Sequence, residues 1–101
     1  GTEAELPRVD LWSRVVDKGG DFWTEVRDPF ANHDFTRSDI IALVSRGLMK
    51  TGGKYKDVAR LLGIADAEYK RFMDFLRQNR CRVDFRPFRE AAKKARAGEQ
   101  G

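Results

Sequence analysis

The stretch TGGKYKDVARLLGIADAEYKRFMDF, residues 51–75, decides the fold of this chain. Apolar residues recur here at the three- and four-residue intervals that place side chains on one face of an α-helix. They form two sets: Tyr55, Val58, Ala59 and Leu62, then Tyr69, Phe72, Met73 and Leu76. Between the sets, Gly63 can adopt the left-handed conformation that ends a helix, and Ile64 can fill the angle between two helices. The spacing predicts two short helices joined by a glycine turn, with Leu62, Ile64 and Phe72 in the core.

Two amphipathic helices joined in this way form a helix-turn-helix, whose second helix can lie in the major groove of DNA. Thr51-Gly52-Gly53 and the run VARLLGI, residues 58–64, resemble the Fis-type helix-turn-helix. This module occurs in the nucleoid protein Fis and at the C-terminus of sigma-54-dependent (NtrC-like) enhancer-binding activators. The resemblance, over residues 38–77, implies an all-α domain that binds double-stranded DNA as a homodimer. It also implies a cytoplasmic protein of the nucleoid, with an ATPase domain in a part of a larger regulator not present here.

The sequence departs from the family after the glycine turn. A small polar residue, an arginine and a threonine usually stand where this chain has Ala65, Asp66 and Glu68. Near a helix N-terminus such carboxylates favour folding, because they cap the helix and complement its dipole, but they repel phosphate. The second hypothesis is therefore a degenerate helix-turn-helix that keeps the fold and mediates protein contact or dimerisation.

The candidate DNA contacts lie at the starts of the two motif helices. Gly53 or Lys54 is expected to begin the first helix, with its amides towards a phosphate. The alternative there is a solvated helix start with Tyr55 buried. In the second helix, Asp66 or Ala65 is expected as the cap, and Lys70 or Arg71 can contact guanine or phosphate. The candidate set is Lys54, Tyr55, Lys56, Asp66, Ala67, Lys70, Arg71 and Arg77.

The charge is distributed unevenly along the chain. Residues 46–96 contain 15 Lys/Arg and 6 Asp/Glu, a balance of +9, whereas residues 1–45 contain 5 and 9, a balance of −4. With Glu99, the net charge is +4. A basic half that coincides with the helical motif favours a polyanionic partner, and a solvated charged surface is the alternative.

An N-terminal helical extension is predicted over residues 1–36. A first helix, 8–18, should end at Gly19-Gly20, and Asp21 should cap a second. Pro29 is expected to break or kink that second helix near Asp28. The aromatic residues of the extension favour a small core packed on the motif over an aromatic ligand site. They are Trp12, Phe22, Trp23, Phe30 and Phe35.

The motif unit is expected over residues 37–79 and a basic arm with a C-terminal helix over 80–101. Thr36 should cap a helix over 37–49, and Asp39 should complete an acidic capping box. Arginines alternate with apolar residues in the arm, which predicts an extended segment with one face on the core. Pro87 should start a last helix over 88–97, and the extension could wrap on the domain or lie along DNA phosphates.

Several kinds of chemistry are excluded by composition. His33 and Cys81 are the only histidine and cysteine. We therefore expect no zinc site, no cofactor and no enzyme, with His33 in a turn and Cys81 buried. Gly52-Gly53-Lys54 does not match a phosphate-binding loop. No apolar run reaches the roughly 18 residues of a membrane span. A lone cysteine fits a reducing cytoplasm.

Overall fold

The structure is a computed structural model that describes residues 10–100, with side chains to residue 98. This part of the chain contains six helices. Residues 10–100 contain no strand, so the all-α prediction is confirmed. A short 3₁₀ turn, Asp66–Glu68, precedes the fifth helix. The helices are α1 (Ser13–Asp17), α2 (Trp23–Arg27 continuing as Asp28–Ala31), α3 (Arg37–Thr51), α4 (Tyr55–Leu61), α5 (Tyr69–Gln78) and α6 (Arg86–Gln100).

The first helix and the first half of the second have π-helical geometry. At the end of α1, the Lys18 amide donates to the Ser13 carbonyl at 2.9 Å, a step of five residues. The predicted cap of α2 is present, since the Asp21 carboxylate accepts from the Thr24 amide at 3.0 Å. The beginning of the predicted first helix, residues 8 and 9, lies outside the described residues.

Of the break or kink predicted near Asp28, the break is wrong, although the helix geometry does change at that residue. Asp28 has helical torsion angles, φ −66° and ψ −47°, and α2 continues through Pro29. The reason is a change of hydrogen-bond register. The wide turns of the first half of α2 give way to α-helical turns at Asp28, so Pro29 occupies the first turn of an α-helical segment. Its missing N–H is tolerated at such a position.

The core lies between α3 and the α4–α5 pair. Leu62, Ile64 and Phe72 are 0%, 3% and 0% exposed, which confirms their predicted burial. Gly47 allows α3 to approach α4 closely, because a Cβ at this position would lie 2.8 Å from Val58 Cγ1. The other buried apolar residues of these helices are Ile40, Leu43, Val44, Leu48, Tyr55, Val58, Ala59 and Leu76.

The boundaries of α3 and of the turn after α4 follow from local chemistry. Asp39 Oδ2 accepts from the Thr36 backbone amide at 2.8 Å, as the acidic capping box requires. The helix runs two residues beyond the predicted Met49 and ends before Gly52, which has φ +70°. After α4, Gly63 has φ +75°, and the Ile64 amide donates to the Ala59 carbonyl at 2.9 Å. The predicted glycine stop is confirmed.

Aromatic side chains of the extension pack on α5. Phe22 meets Phe72 and Phe75 edge to face, with ring centroids 5.3 and 5.8 Å apart. Trp23 and Phe30 also contact Phe75 edge to face, at 6.4 and 5.9 Å. These contacts confirm the prediction that the aromatic residues form a small core against the motif.

The arm and α6 fold back onto the start of α4. Cys81 is buried and Arg82 and Asp84 are exposed, so the predicted alternation in the extended arm is confirmed. The Tyr55 hydroxyl donates to the Val83 carbonyl at 2.6 Å and accepts from the Val83 amide at 2.8 Å. The last helix is longer than the predicted 88–97. No helix within residues 10–100 is both long and apolar enough to cross a membrane.

Candidate nucleic-acid interface

The exposed face of α5 lies opposite its buried residues, Phe72 and Leu76. The helical repeat brings Lys70, Asp74 and Arg77 together on this face. Lys70 and Arg77 are exposed, as is Ala67 in the preceding 3₁₀ turn. Three of the sequence-predicted contacts, Ala67, Lys70 and Arg77, therefore share one surface.

Each acidic residue of the α5 segment forms an ion pair with an arginine. Glu68 lies 3.2 Å from Arg71, and Asp74 lies 3.0 Å from Arg77. Residues 65–78 contain three acidic and three basic side chains, so the segment is neutral. Among the side chains described for this segment, Lys70 is the one cation without an ion pair.

The sequence predicted Asp66 or Ala65 as the cap of the second motif helix, and the structure has Asp66 bound to an arginine instead of capping. Both its carboxylate oxygens accept from Arg60, at 3.3 Å each. These hydrogen bonds hold the pKa of Asp66 below its usual value. Ala65 and Glu68 precede the 3₁₀ turn and α5, and neither provides a side-chain cap. Ala65 occupies the N-cap position and Asp66 is the first residue inside the 3₁₀ turn, so its carboxylate is available to Arg60.

Arg71 lies against α2. Its guanidinium carbon is 4.1 Å from the centre of the Trp23 ring, and that of Arg27 is 5.6 Å from the same ring. A cation over an indole face is attracted by the ring quadrupole. Arg71 therefore lies beside the exposed face of α5 and is held there by Trp23 and Glu68.

A positively charged groove borders α5 on the side of Tyr69 and Met73. This basic groove has a volume of about 440 Å³. It contains five basic side chains and one acidic one, Asp57, which lies 3.5 Å from Arg60. The lining residues are Lys54, Tyr55, Lys56, Asp57, Arg60, Tyr69, Met73, Arg82, Phe85 and Arg89. A net charge of +4 therefore lies next to the neutral α5 segment.

Tyr55 is a buried residue of the groove lining that holds the arm against α4. It is 6% exposed, and its hydroxyl is occupied by both backbone groups of Val83. Burial raises the pKa of this phenol, against the lowering effect of the Val83 hydrogen bond and of nearby Arg82. The structure thus places Tyr55 in the core. Tyr55 is therefore not one of the proposed phosphate contacts, and its hydrogen bonds to Val83 hold the arm on α4.

Arg60, Arg82 and Arg89 were not among the residues singled out from the sequence. Arg60 stands just before a glycine turn, where nothing in the local pattern marks a ligand contact. The alternation of arginines in the arm did indicate that Arg82 would be exposed. Its position beside Lys54 and Lys56 depends on contacts between residues far apart in the chain, such as the one from Tyr55 to Val83.

Residues 10–98 contain no group of three or more histidine, cysteine or acidic side chains that could hold a metal ion. Cys81 is fully buried, and burial raises the pKa of its thiol. His33 lies in a turn with φ +63°, as predicted. Comparisons with protein-family models, curated proteins and solved structures found no match to this chain.

Proposed function

We propose that this chain binds double-stranded DNA and inserts α5 into the major groove. The observation that carries the proposal is the adjacency of two surfaces. One is an exposed helical face whose Lys70 has no ion pair with any described side chain, and the other is the basic groove beside it. The first is suited to base edges in a major groove about 12 Å wide. The second is suited to the phosphates that border that groove.

The side chains divide between base contact and phosphate contact. Lys70 is the candidate for the O6 and N7 atoms of guanine, and the Ala67 methyl is suited to contact with thymine. Lys54 and Lys56 are exposed at the start of α4 and supply phosphate contacts. Because α4 has only seven residues, we assign these contacts to side chains and not to the helix amides.

The resemblance to the Fis-type helix-turn-helix supports a wider proposal. The chain would be the DNA-binding domain of a sigma-54-dependent transcriptional regulator, acting at the nucleoid in the cytoplasm. Such a domain would bind as a homodimer to two half-sites related by symmetry. The glycine turn at Gly63 and the buried Ile64 are the features of the described structure that match the resemblance.

Lys56→Ala tests the phosphate contact. We expect weaker binding on all duplexes alike, and a slope of log affinity against log salt reduced by roughly one. The measurement is fluorescence anisotropy with a labelled duplex across a salt series. Lys18→Ala, an exposed lysine in the acidic half of the chain, is the control and should match the wild type. Equal slopes for the wild type and Lys56→Ala would remove Lys56 from the interface.

Glu68→Gln tests the acidic α5 segment. Removing the carboxylate should tighten non-specific binding by about 1 kcal/mol at low salt, because it eliminates repulsion of phosphate and releases Arg71 from its ion pair. The gain should fade as salt is added. Glu90→Gln removes an exposed acid of α6 and should change affinity less. Loss of discrimination between duplexes, without a gain in affinity, would instead make Glu68 a base contact, with cytosine N4 as the matching donor.

A protein-interaction module is the second candidate. It is favoured by the neutral α5 segment and by two exposed apolar side chains, Met49 at 72% and Leu61 at 37%. The same titration separates the two functions. Failure of the wild type to bind any duplex at low salt would favour protein contact, whereas steeply salt-dependent binding would favour DNA.

A further inference from the structure

The C-terminal segment forms one wall of the basic groove. Lys54 and Lys56 come from the start of α4, and Arg82 and Arg89 come from the arm and from α6. Hydrogen bonds join the two walls at two places. One is the pair of Tyr55–Val83 hydrogen bonds, and the other is a bond of 3.2 Å from Arg89 Nε to the Gly53 carbonyl. The groove is therefore complete only when the arm and α6 are docked.

Arg89 is held in place and keeps donors for a ligand. Its guanidinium carbon lies 4.1 Å from the centre of the Phe85 ring, and its Nε bonds Gly53. An arginine has five N–H donors, and the contacts found within residues 10–98 use one of Arg89's. A planar guanidinium held on an aromatic face is suited to bind phosphate oxygens. The side chain remains exposed on the surface despite these contacts.

Arg82 is also exposed, and no carboxylate among the described side chains lies within ion-pairing distance of it. Its neighbour Asp84 is engaged by Arg86 at 3.0 Å. Lys54 and Lys56 likewise have no ion pair in the described part of the chain. Within the described residues, four of the groove's cations thus have no ion pair, namely Lys54, Lys56, Arg82 and Arg89. A polyanion can contact several of them at once, which a single small anion cannot.

We propose that the sugar-phosphate backbone of a DNA strand lies in the basic groove, with Arg82 and Arg89 contacting its phosphates from the C-terminal wall. This inference rests on the proposed function. It adds a second DNA-binding surface, which the segment after the α4–α5 pair supplies. The groove reaches α5 through Tyr69 and Met73. A duplex whose major groove receives the exposed face of α5 therefore brings a backbone to this side of the helix.

The test is Arg82→Gln, measured by fluorescence anisotropy on a labelled duplex of mixed sequence across a salt series. We expect the slope of log affinity against log salt to fall by about 0.9. The loss of affinity relative to the wild type should then grow about eightfold between 1 M and 0.1 M salt. Arg96→Gln makes the same charge change on an exposed residue of α6 outside the groove. It should bind as the wild type does, and thermal melting should show both variants folded.

The outcomes separate this inference from the proposed function. Duplex binding by the wild type with an unchanged slope for Arg82→Gln would overturn the groove contact and leave binding through α5 standing. Absence of duplex binding by the wild type at low salt would overturn both. A polyglutamate competitor tests another polyanion. If the wild type bound it more tightly than the duplex and Arg82→Gln lost that preference, the groove would be a site for acidic polypeptides and the inference would be wrong.

Discussion

Phe72→Ala is expected to lower the free energy of unfolding by about 3 to 5 kcal/mol. Phe72 is fully buried on α5, and its ring meets that of Phe22 edge to face at 5.3 Å. Truncation removes the buried ring and leaves a cavity between α5 and Phe22, the residue just before α2. The cavity adds to the lost transfer energy because close-packed surroundings relax only in part. Urea unfolding followed by circular dichroism measures the change.

Met49→Ala provides the matched control for Phe72→Ala. Met49 is a large apolar residue, but it is 72% exposed on α3. Its truncation should alter stability by no more than about 0.5 kcal/mol. A urea midpoint for Phe72→Ala equal to that of the wild type would mean that the buried Phe72 ring and its contact with Phe22 do not stabilise the fold.

Gly53→Ala is expected to destabilise the domain by about 2 to 5 kcal/mol, through backbone strain and overpacking together. Gly53 has φ +86°, a conformation that residues with a Cβ rarely adopt. A Cβ there would lie 2.9 Å from both the Arg89 amide nitrogen and the Phe85 carbonyl oxygen. These are backbone atoms, so relief requires α6 and the arm to move. The loss should appear in urea unfolding.

Gly63→Ala separates the two causes. Gly63 also has a positive φ, +75°, but a Cβ there would meet nothing within 4 Å. Strain alone should then lower stability, by about 1 to 2 kcal/mol. The difference between the two variants reports the packing of the C-terminal segment on Gly53. Equal losses would show that the C-terminal segment accommodates a Cβ at residue 53 at no further cost in stability, and the overpacking argument would be wrong.

The central part of the fold could be predicted because its signals are local. The helical spacing around Leu62 and Phe72 and the glycine between the two sets concern residues only a few positions apart. They specify α4, the turn and α5 without knowledge of the rest of the chain. The capping box of Thr36 and Asp39 is equally local, and it too is present.

The features that sequence reasoning missed depend on competition or on distant contacts. Asp66 could cap a helix or bind a cation, and in the structure it lies inside the 3₁₀ turn and binds Arg60 across the turn. Pro29 indicated a break only because α-helical register was assumed before it. The C-terminal wall of the groove depends on Tyr55 meeting Val83, which lies 28 residues away. The spacing of residues within either segment does not predict a contact between residues so far apart in the chain.

The two fastenings of the C-terminal segment form nested loops. The Tyr55–Val83 contact closes 28 residues, and the Gly53–Arg89 contact closes 36 residues around it. Closing a loop reduces chain entropy by an amount that grows only slowly with its length. After the inner contact has formed, the outer one needs only the short connections on either side to close. Forming the Gly53–Arg89 contact therefore costs little further chain entropy once the Tyr55–Val83 contact exists. We expect the arm and α6 to attach and detach as one cooperative unit.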